Sequence, residues 1–209
     1  MAEKIEIVRE LPEKFGVQAA ELLYEAFREK MRVVISDKAK ALKIIRAAAN
    51  YETGFYAIHG KRLAGIAGIQ TKGNKYFNVK FADLLDEFCF FSALLKLIRF
   101  KLESLSILKN GEMEIVALSV KKEMRGKNIG TAIMNEIIWY AEQNGYRGLK
   151  LTVVDTNKGA LRLYKRIGFR ITRIVKYGFI TRSAGFEAVI HMYRNLQLKE
   201  FNTGTGMNT

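Results

Sequence analysis

The stretch that decides the fold runs from Met113 to Phe169: MEIVALSVKKEMRGKNIGTAIMNEIIWYAEQNGYRGLKLTVVDTNKGALRLYKRIGF. It predicts a strand over Met113–Val120, a small basic turn at Arg125-Gly126-Lys127-Asn128-Ile129-Gly130, and an amphipathic helix over Ile129–Asn144. Ile129, Ile133, Ile137 and Ala141 recur at i, i+4 spacing, and Gly145 follows in the position past a helix end that glycine favours. Leu149–Val154 is almost continuously apolar, as expected of a buried central strand. A short helix then runs through Arg166, capped by Asp155 or Thr156 and closed by Gly168-Phe169. A strand that delivers a small basic loop onto a helix N-terminus gathers backbone N–H groups at the positive end of the helix dipole. Such a loop suits a ligand that carries phosphate.

The flanks continue the same grammar. Lys4–Glu10 alternates as a strand, and Pro12 opens a helix with an inward stripe at Val17, Ala20, Leu23, Ala26 and Phe27. Ser36-Asp37 caps a second helix that turns Ala41, Ile44, Ile45 and Ala48 inward. Phe55–His59 and Leu63–Gln70 form a hairpin around Gly60-Lys61. Residues 71–112 break this rhythm and read as an insertion, with an apolar Phe88–Leu108 segment of one or two helices. That segment suits a lid, a homodimer interface, a membrane-surface helix or plain core packing. Ile171–Ile180 and Glu187–Tyr193 are the last strands, around a loop at Ser183-Ala184-Gly185. The polar residues 201–209 read as a disordered tail, leaving one domain over 1–200. Strands around a strand–helix–strand–helix core mark an α+β domain of three layers.

Composition narrows the function. A chain of 209 residues with 49% apolar residues is ample for one core. A single cysteine and two histidines offer neither a disulfide framework nor a histidine- or cysteine-built metal centre, so no metal is expected. Cys89 reads as a buried hydrophobe, and His59 and His191, placed near strand ends, as structural residues. Without a signal-like N-terminus or a run of about 18 apolar residues, the expectation is a cytoplasmic protein with no membrane span. The formal net charge is +14, and Lys121–Lys176 alone holds thirteen Lys or Arg against four Asp or Glu. A basic face points to an anionic partner.

The quoted stretch resembles the acetyl-CoA-binding core of the GNAT superfamily of N-acetyltransferases. A strand ending Leu118-Ser119-Val120 precedes a loop similar to (Gln/Arg)-x-x-Gly-x-(Gly/Ala), here Arg125–Gly130. Asn157, Ala160, Leu163-Tyr164 and Gly168-Phe169 follow at the family's spacing. One departure is visible: Asn128 stands where the family has its first loop glycine. Asparagine is the non-glycine residue that best tolerates a left-handed backbone. The resemblance implies a mixed, mostly antiparallel sheet of about seven strands flanked by helices, with the helical insertion before the fourth strand.

It also implies a cofactor site. The amides of Arg125, Gly126, Lys127, Asn128, Ile129, Gly130 and Thr131 would hold the pyrophosphate of acetyl-CoA. The backbone of Leu118, Ser119 and Val120 would meet the pantetheine arm between two splayed strands, with the Val120 amide polarising the thioester carbonyl. Asn157 and Ala160 would complete the site, and Tyr164 would donate a proton to the departing thiolate. Glu114 lies six residues before Val120, so simple alternation puts both on one face, and Glu114-Ile115-Val116 resembles the general-base segment of the histone acetyltransferase branch. Glu112 or a water chain are alternative bases. The acceptor is a small-molecule or peptide amine: an acidic peptide, a polyamine, an aminoglycoside and a metabolite amine all fit. A cationic acceptor would need local carboxylates such as Asp83, Asp86 and Glu87. The alternatives are a catalytically silent acyl-CoA-binding or regulatory module and, after it, a basic nucleic-acid-binding protein. No nucleic acid is expected, since the aromatic residues do not interleave with the basic ones.

Overall fold

The computed structural model describes residues 5–35, 37–88, 108–177 and 185–196. Seven strands form one sheet: β1 (Ile5–Val8), β2 (Gly54–His59), β3 (Arg62–Gln70), β4 (Glu112–Val120), β5 (Gly148–Val154), β6 (Arg170–Lys176) and β7 (Ala188–Asn195). Their order is β1-β2-β3-β4-β5-β7-β6. Only β4 and β5 pair in parallel; all other neighbours are antiparallel. The helices are α1 (Gly16–Val34), α2 (Lys38–Ala48), the short α3 (Phe81–Leu85), α4 (Ile129–Gln143) and α5 (Lys158–Arg166). The expected α+β architecture of a mostly antiparallel sheet flanked by helices is therefore what the chain adopts. Among the described residues, no helix is long and apolar enough to cross a membrane.

Two apolar layers lie on opposite faces of the sheet. On one, α4 and α5 bury Ile129, Ile133, Met134, Ile137 and Tyr164 against Met113, Ile115, Leu151 and Met192. On the other, α1, α2 and the chain around Tyr76 and Leu84 cover Tyr56, Ile66 and Ala117. The α4 stripe is close to fully buried, with Ile133, Ile137 and Ala141 at 0% exposure. Each such isoleucine contributes about 1.5–3 kcal/mol relative to an exposed one. Gly145 ends α4 at φ +72°, as the sequence pattern predicts. Asp37 caps α2 by accepting from the amides of Ala39 and Lys40, and Ala41, Ile44, Ile45 and Ala48 all point inward.

Other expectations shift. In α1 the expected Ala20 and Leu23 are buried and Phe27 packs against the same layer, joined by Ala19, Leu22 and Tyr24, whereas Val17 is 56% exposed and Ala26 faces solvent. A 3-10 turn at Glu13–Phe15 precedes α1 and buries Phe15, so Phe15 and not Val17 is the first inward residue of this stretch. The cap of α5 is Asn157, not Asp155 or Thr156: its Oδ1 accepts the Ala160 amide at 3.1 Å. His191 sits in the middle of β7 rather than near its end. Residues 71–88 do not form a detached insertion. Phe77 bridges to Ala49, Tyr76 and Leu84 are fully buried, and Glu87 pairs with Lys43 at 2.7 Å. Most of the expected Phe88–Leu108 helices, Cys89, Ser36, the end of the Ile171–Ile180 strand, Ser183, Ala184 and the 201–209 tail lie outside the described residues.

The consequential irregularity is in β4. Gly68 pairs with Ala117 but Ile69 pairs with Ile115, so Val116 is an extra residue. The bulge shows in the packing. Met113, Ile115, Leu118 and Val120 belong to the α4 face, while Val116 and Ala117 both turn to the α1–α2 face. The parallel ladder with β5 covers only Glu112↔Gly148 to Ile115↔Leu151, although β4 continues to Val120 and β5 to Val154. The sheet therefore splits at its centre.

Beside the bulge, a Cβ on Gly68 would lie 2.4 Å from the buried Tyr76 ring. Gly68→Ala is expected to cost about 1–3 kcal/mol through overpacking, read as a lower urea midpoint with an unchanged m-value.

Candidate functional site

The split has two walls and a basic lip. The Lys121 amide donates to the Ala64 carbonyl at 2.9 Å, and the antiparallel alternation makes Ser119 the next β4 residue bonded to β3. The N–H groups of Leu118 and Val120 therefore point the other way, toward β5, where no strand pairs with them. Ser119 turns its side chain to the opposite face, where it is 6% exposed. One wall of the split is thus an open backbone edge presented by Leu118 and Val120.

At the mouth of the split, the chain makes a 3-10 turn at Lys122–Met124 and enters the loop. Gly126 has φ +79° and Asn128 has φ +59°, ψ +12°, a left-handed conformation. Asn128 is the one non-glycine residue with positive φ among the described residues. Its carbonyl accepts the Ala132 amide at 2.9 Å, so the residue still opens α4. The amides of Gly126, Lys127, Asn128, Ile129, Gly130 and Thr131 have no protein acceptor among the described residues. Six unpaired donors over a turn and a helix N-terminus are chemically suited to an anion. Gly130 keeps the floor low: a Cβ there would lie 3.4 Å from Leu163 and 3.7 Å from Val120.

Charges frame the loop. Arg125 Nε donates to the Val120 carbonyl at 3.1 Å, which ties the loop to the end of β4. Arg166 Nη2 donates to Thr131 Oγ1 at 2.9 Å, so the last turn of α5 sets a cation beside the first turn of α4. Sequence reasoning missed Arg166. Its signal was a basic residue in the last helical turn before Gly168, but only the fold brings it to Thr131.

Tyr164 projects from α5 into the α4-side layer, 7% exposed, with its ring 6.0 Å from that of Phe169. Its hydroxyl has no hydrogen-bond partner among the described residues. Burial pushes its pKa up to about 12, so the phenol is protonated at neutral pH. The hydroxyl is not sealed from solvent, so a bound group can reach it. Asn157 spends its Oδ1 on the α5 cap.

The two carboxylates are placed differently. Because of the bulge, Glu114 and Val120 lie on opposite faces, against simple alternation. Glu114 accepts from Gln70 Nε2 at 2.8 Å and looks to the α1–α2 side. Glu112 is ion-paired with Lys150 at 2.5 Å and accepts the Lys109 amide at 2.8 Å. Burial alone would raise the Glu112 pKa, but the bonds to Lys150 and Lys109 and their charges outweigh it and leave it below the ordinary value. That makes Glu112 a fixed anion and a poor base.

With this geometry in place, comparison with known proteins is informative. The model of the acetyltransferase (GNAT) family matches residues 20–169. An uncharacterized N-acetyltransferase of Methanocaldococcus jannaschii is 42% identical over 71 residues, covering 34% of this chain and 31% of the relative. The thialysine N-epsilon-acetyltransferase of Bos taurus is 37% identical over 65 residues, covering 31% of this chain and 38% of the relative. The matches thus span about a third of these curated relatives' own length. Among solved structures, the ribosomal-protein-S18-alanine N-acetyltransferase from Escherichia coli superposes with a TM-score of 0.56 at 16% identity, over 95% of this chain and 98% of that one. A Bacillus subtilis acetyltransferase in complex with CoA gives 0.55 at 17% identity, over 93% and 99%. These two likenesses concern the fold.

Two outcomes test the local reading. Asn128→Gly relieves the left-handed strain and is expected to hold or raise stability by up to about 1 kcal/mol, while Asn128→Val is expected to lose about 1–2 kcal/mol, both read by chemical denaturation. Glu112→Gln is expected to lower the melting temperature at pH 7. Because the folded pKa is depressed, the gap from the parent should be complete above the ordinary glutamate value of about 4.3 and should close as pH falls below it.

Proposed function

This chain belongs to the acetyltransferase (GNAT) family, and from that premise we propose that it moves the acetyl group of acetyl-CoA to a primary amine by direct attack in a ternary complex. The observation that carries this reading is the open β4 edge at Leu118 and Val120, running into a loop with six unpaired amides. A thioester arm lying along that edge would complete the interrupted ladder, and its pyrophosphate would fall on the loop. Acetyl-CoA supplies the activated acetyl group; the protein's residues position it and handle protons.

The loop amides from Gly126 to Thr131 bind the pyrophosphate, with Arg125, Lys127 and Arg166 adding positive charge around it. Leu118 and Val120 hold the arm through their backbone, and an N–H of this edge polarises the thioester carbonyl. Ser119 contributes its backbone to the strand alone. Asn157 and Ala160 act together, the first fixing the α5 turn that starts beside the arm. The amine nitrogen bonds to the carbonyl carbon as the carbon–sulfur bond breaks. Tyr164 gives its hydroxyl proton to the leaving sulfur, and the amine's surplus proton passes to Glu114, directly or through water. The acid and the base lie on opposite faces of the sheet, and the split connects them. A phenol held protonated to about pH 12 remains an acid across the working range.

Calorimetric titration tests the cradle. Acetyl-CoA is expected to bind more tightly than ATP, and Gly130→Glu, which puts a carboxylate on the anion site, is expected to weaken it by at least about tenfold. Equal binding by the variant would refute the loop's role. Tyr164→Phe is expected to lower kcat by about 100-fold with acetyl-CoA affinity unchanged, read by release of free thiol. Unchanged kcat would remove Tyr164 from the chemistry.

A further inference from the structure

We propose that the acceptor is an acidic peptide, recognised by Arg170 and Arg173 of β6 on the sheet face that holds Glu114. This rests on the acetyl-transfer reading above and names the chemistry of its second substrate. The sequence carries the first half of the argument. From Thr156 to Phe186 there are eight Lys or Arg and no Asp or Glu. The fold then divides those charges between two faces.

The cations of α5 lie on the α4 side, where the loop is. The β6 arginines do not. Arg170 is register partner to Tyr193, which partners Lys150, which partners Glu114. Arg173 partners His191, which partners Thr152 at the lip of the split. Directly opposed residues share a face, and in the alternate row, Ile171–Met192–Leu151–Ile115, the last three belong to the α4 layer. Arg170 and Arg173 therefore look to the Glu114 side, across the sheet from the phosphate loop. A bulge between Ile171 and Arg173 is what puts both arginines on one face.

Both side chains are exposed, and neither has an ionic partner among the described residues. A cofactor phosphate seated on the loop lies across the sheet from them, which leaves both free to meet a different anion. The spacing fits a peptide. Strands about 4.8 Å apart place the β6 backbone about 10 Å from β5, which an extended chain covers in roughly three residues. The anion read by β6 thus sits about two to four residues from the reacting amine. A polycationic acceptor is disfavoured for a complementary reason. Of the three carboxylates named for it, Asp83 caps α3 through the Lys80 amide and Glu87 is paired with Lys43, which leaves Asp86 alone of the three without a side-chain partner among the described residues.

The test uses the full chain saturated with desulfo-CoA, and labelled peptides whose second to fourth residues are all Glu or all Lys. Each sequence is made with a free N-terminal amine and, separately, with a blocked N-terminus and a lysine at the first position as the acceptor, the Lys series being read for binding alone. Fluorescence anisotropy is expected to show a preference for the Glu peptides of up to about tenfold, weakening with salt, in whichever format presents the correct amine. The Arg170→Glu/Arg173→Glu pair should abolish or invert that preference and raise the acceptor KM with kcat little changed. Arg170→Lys/Arg173→Lys should retain most of it, and Lys61→Glu, on the remote β2–β3 turn, all of it. Wild type binding Glu and Lys peptides alike, or a preference that survives the double reversal or falls equally with Lys61→Glu, would overturn the proposal. Failure of acetyl-CoA to bind at all would instead remove the acetyl-transfer reading, and the anisotropy comparison would still decide the role of the arginines.

Discussion

The extra residue at Val116 is the constraint on which the rest of the site depends. A regular β4 would pair with β5 along its whole length and leave a closed sheet. The bulge turns Val116 and Ala117 to one face together, and the ladder stops at Ile115↔Leu151. The residues proposed for the chemistry lie around that interruption. The edge of Leu118 and Val120 is left without a partner, α4 begins at its mouth, α5 brings Tyr164 to one side, and Glu114 stands on the other. The same slip explains how two residues an even number apart come to occupy opposite faces.

The layers on either side keep the split from collapsing. On the α4 side, the isoleucine stripe of α4 packs across β3 and β4, close enough that a Cβ on Gly65 would lie 3.0 Å from the Ile133 side chain. Arg9 Cζ lies 4.2 Å from the centre of the Phe55 ring and 4.1 Å from that of Tyr140, pinning the far half of α4 to the outer strands. The helix is thus held by the half of the sheet that does not move apart. Its N-terminus can stay exposed with its amides unpaired, because stability comes from the buried stripe and not from the cap.

Most of the fold was legible because its elements are locally consistent. The α4 stripe, the Gly145 stop, the Asp37 cap and the hairpin at Gly60 all follow from periodicity and turn chemistry, and the structure agrees. The left-handed Asn128 was readable for the same reason: few non-glycine residues tolerate that conformation. What was not legible is long-range. The phase of β4 depends on how β3 pairs with it, and no composition signal in Glu114–Val120 reveals a bulge. Arg166 meets Thr131 only once α4 and α5 are packed, 35 residues apart in sequence. Glu112 looked as free as Glu114 until the fold brought the Lys150 side chain, whose register partner is Glu114, diagonally onto it. In α1 only the Val17 and Ala26 positions of the stripe were misread, Phe15 in the 3-10 turn ahead of the helix taking the inward place expected of Val17.

The open edge at Leu118 and Val120 has a meaning for the protein as a thermodynamic system. An interior strand edge without its neighbour is a sheet one strand short, held apart by its flanking layers. Whatever lies along it supplies backbone hydrogen bonds that the folded chain has and the unfolded chain lacks. Such a ligand is thereby part of the fold's own equilibrium, worth about 2.7 kcal/mol when present at a hundred times its dissociation constant. The persistence of this chain in a cell would then follow its cofactor supply, rising and falling with the pool of the molecule that fills the gap.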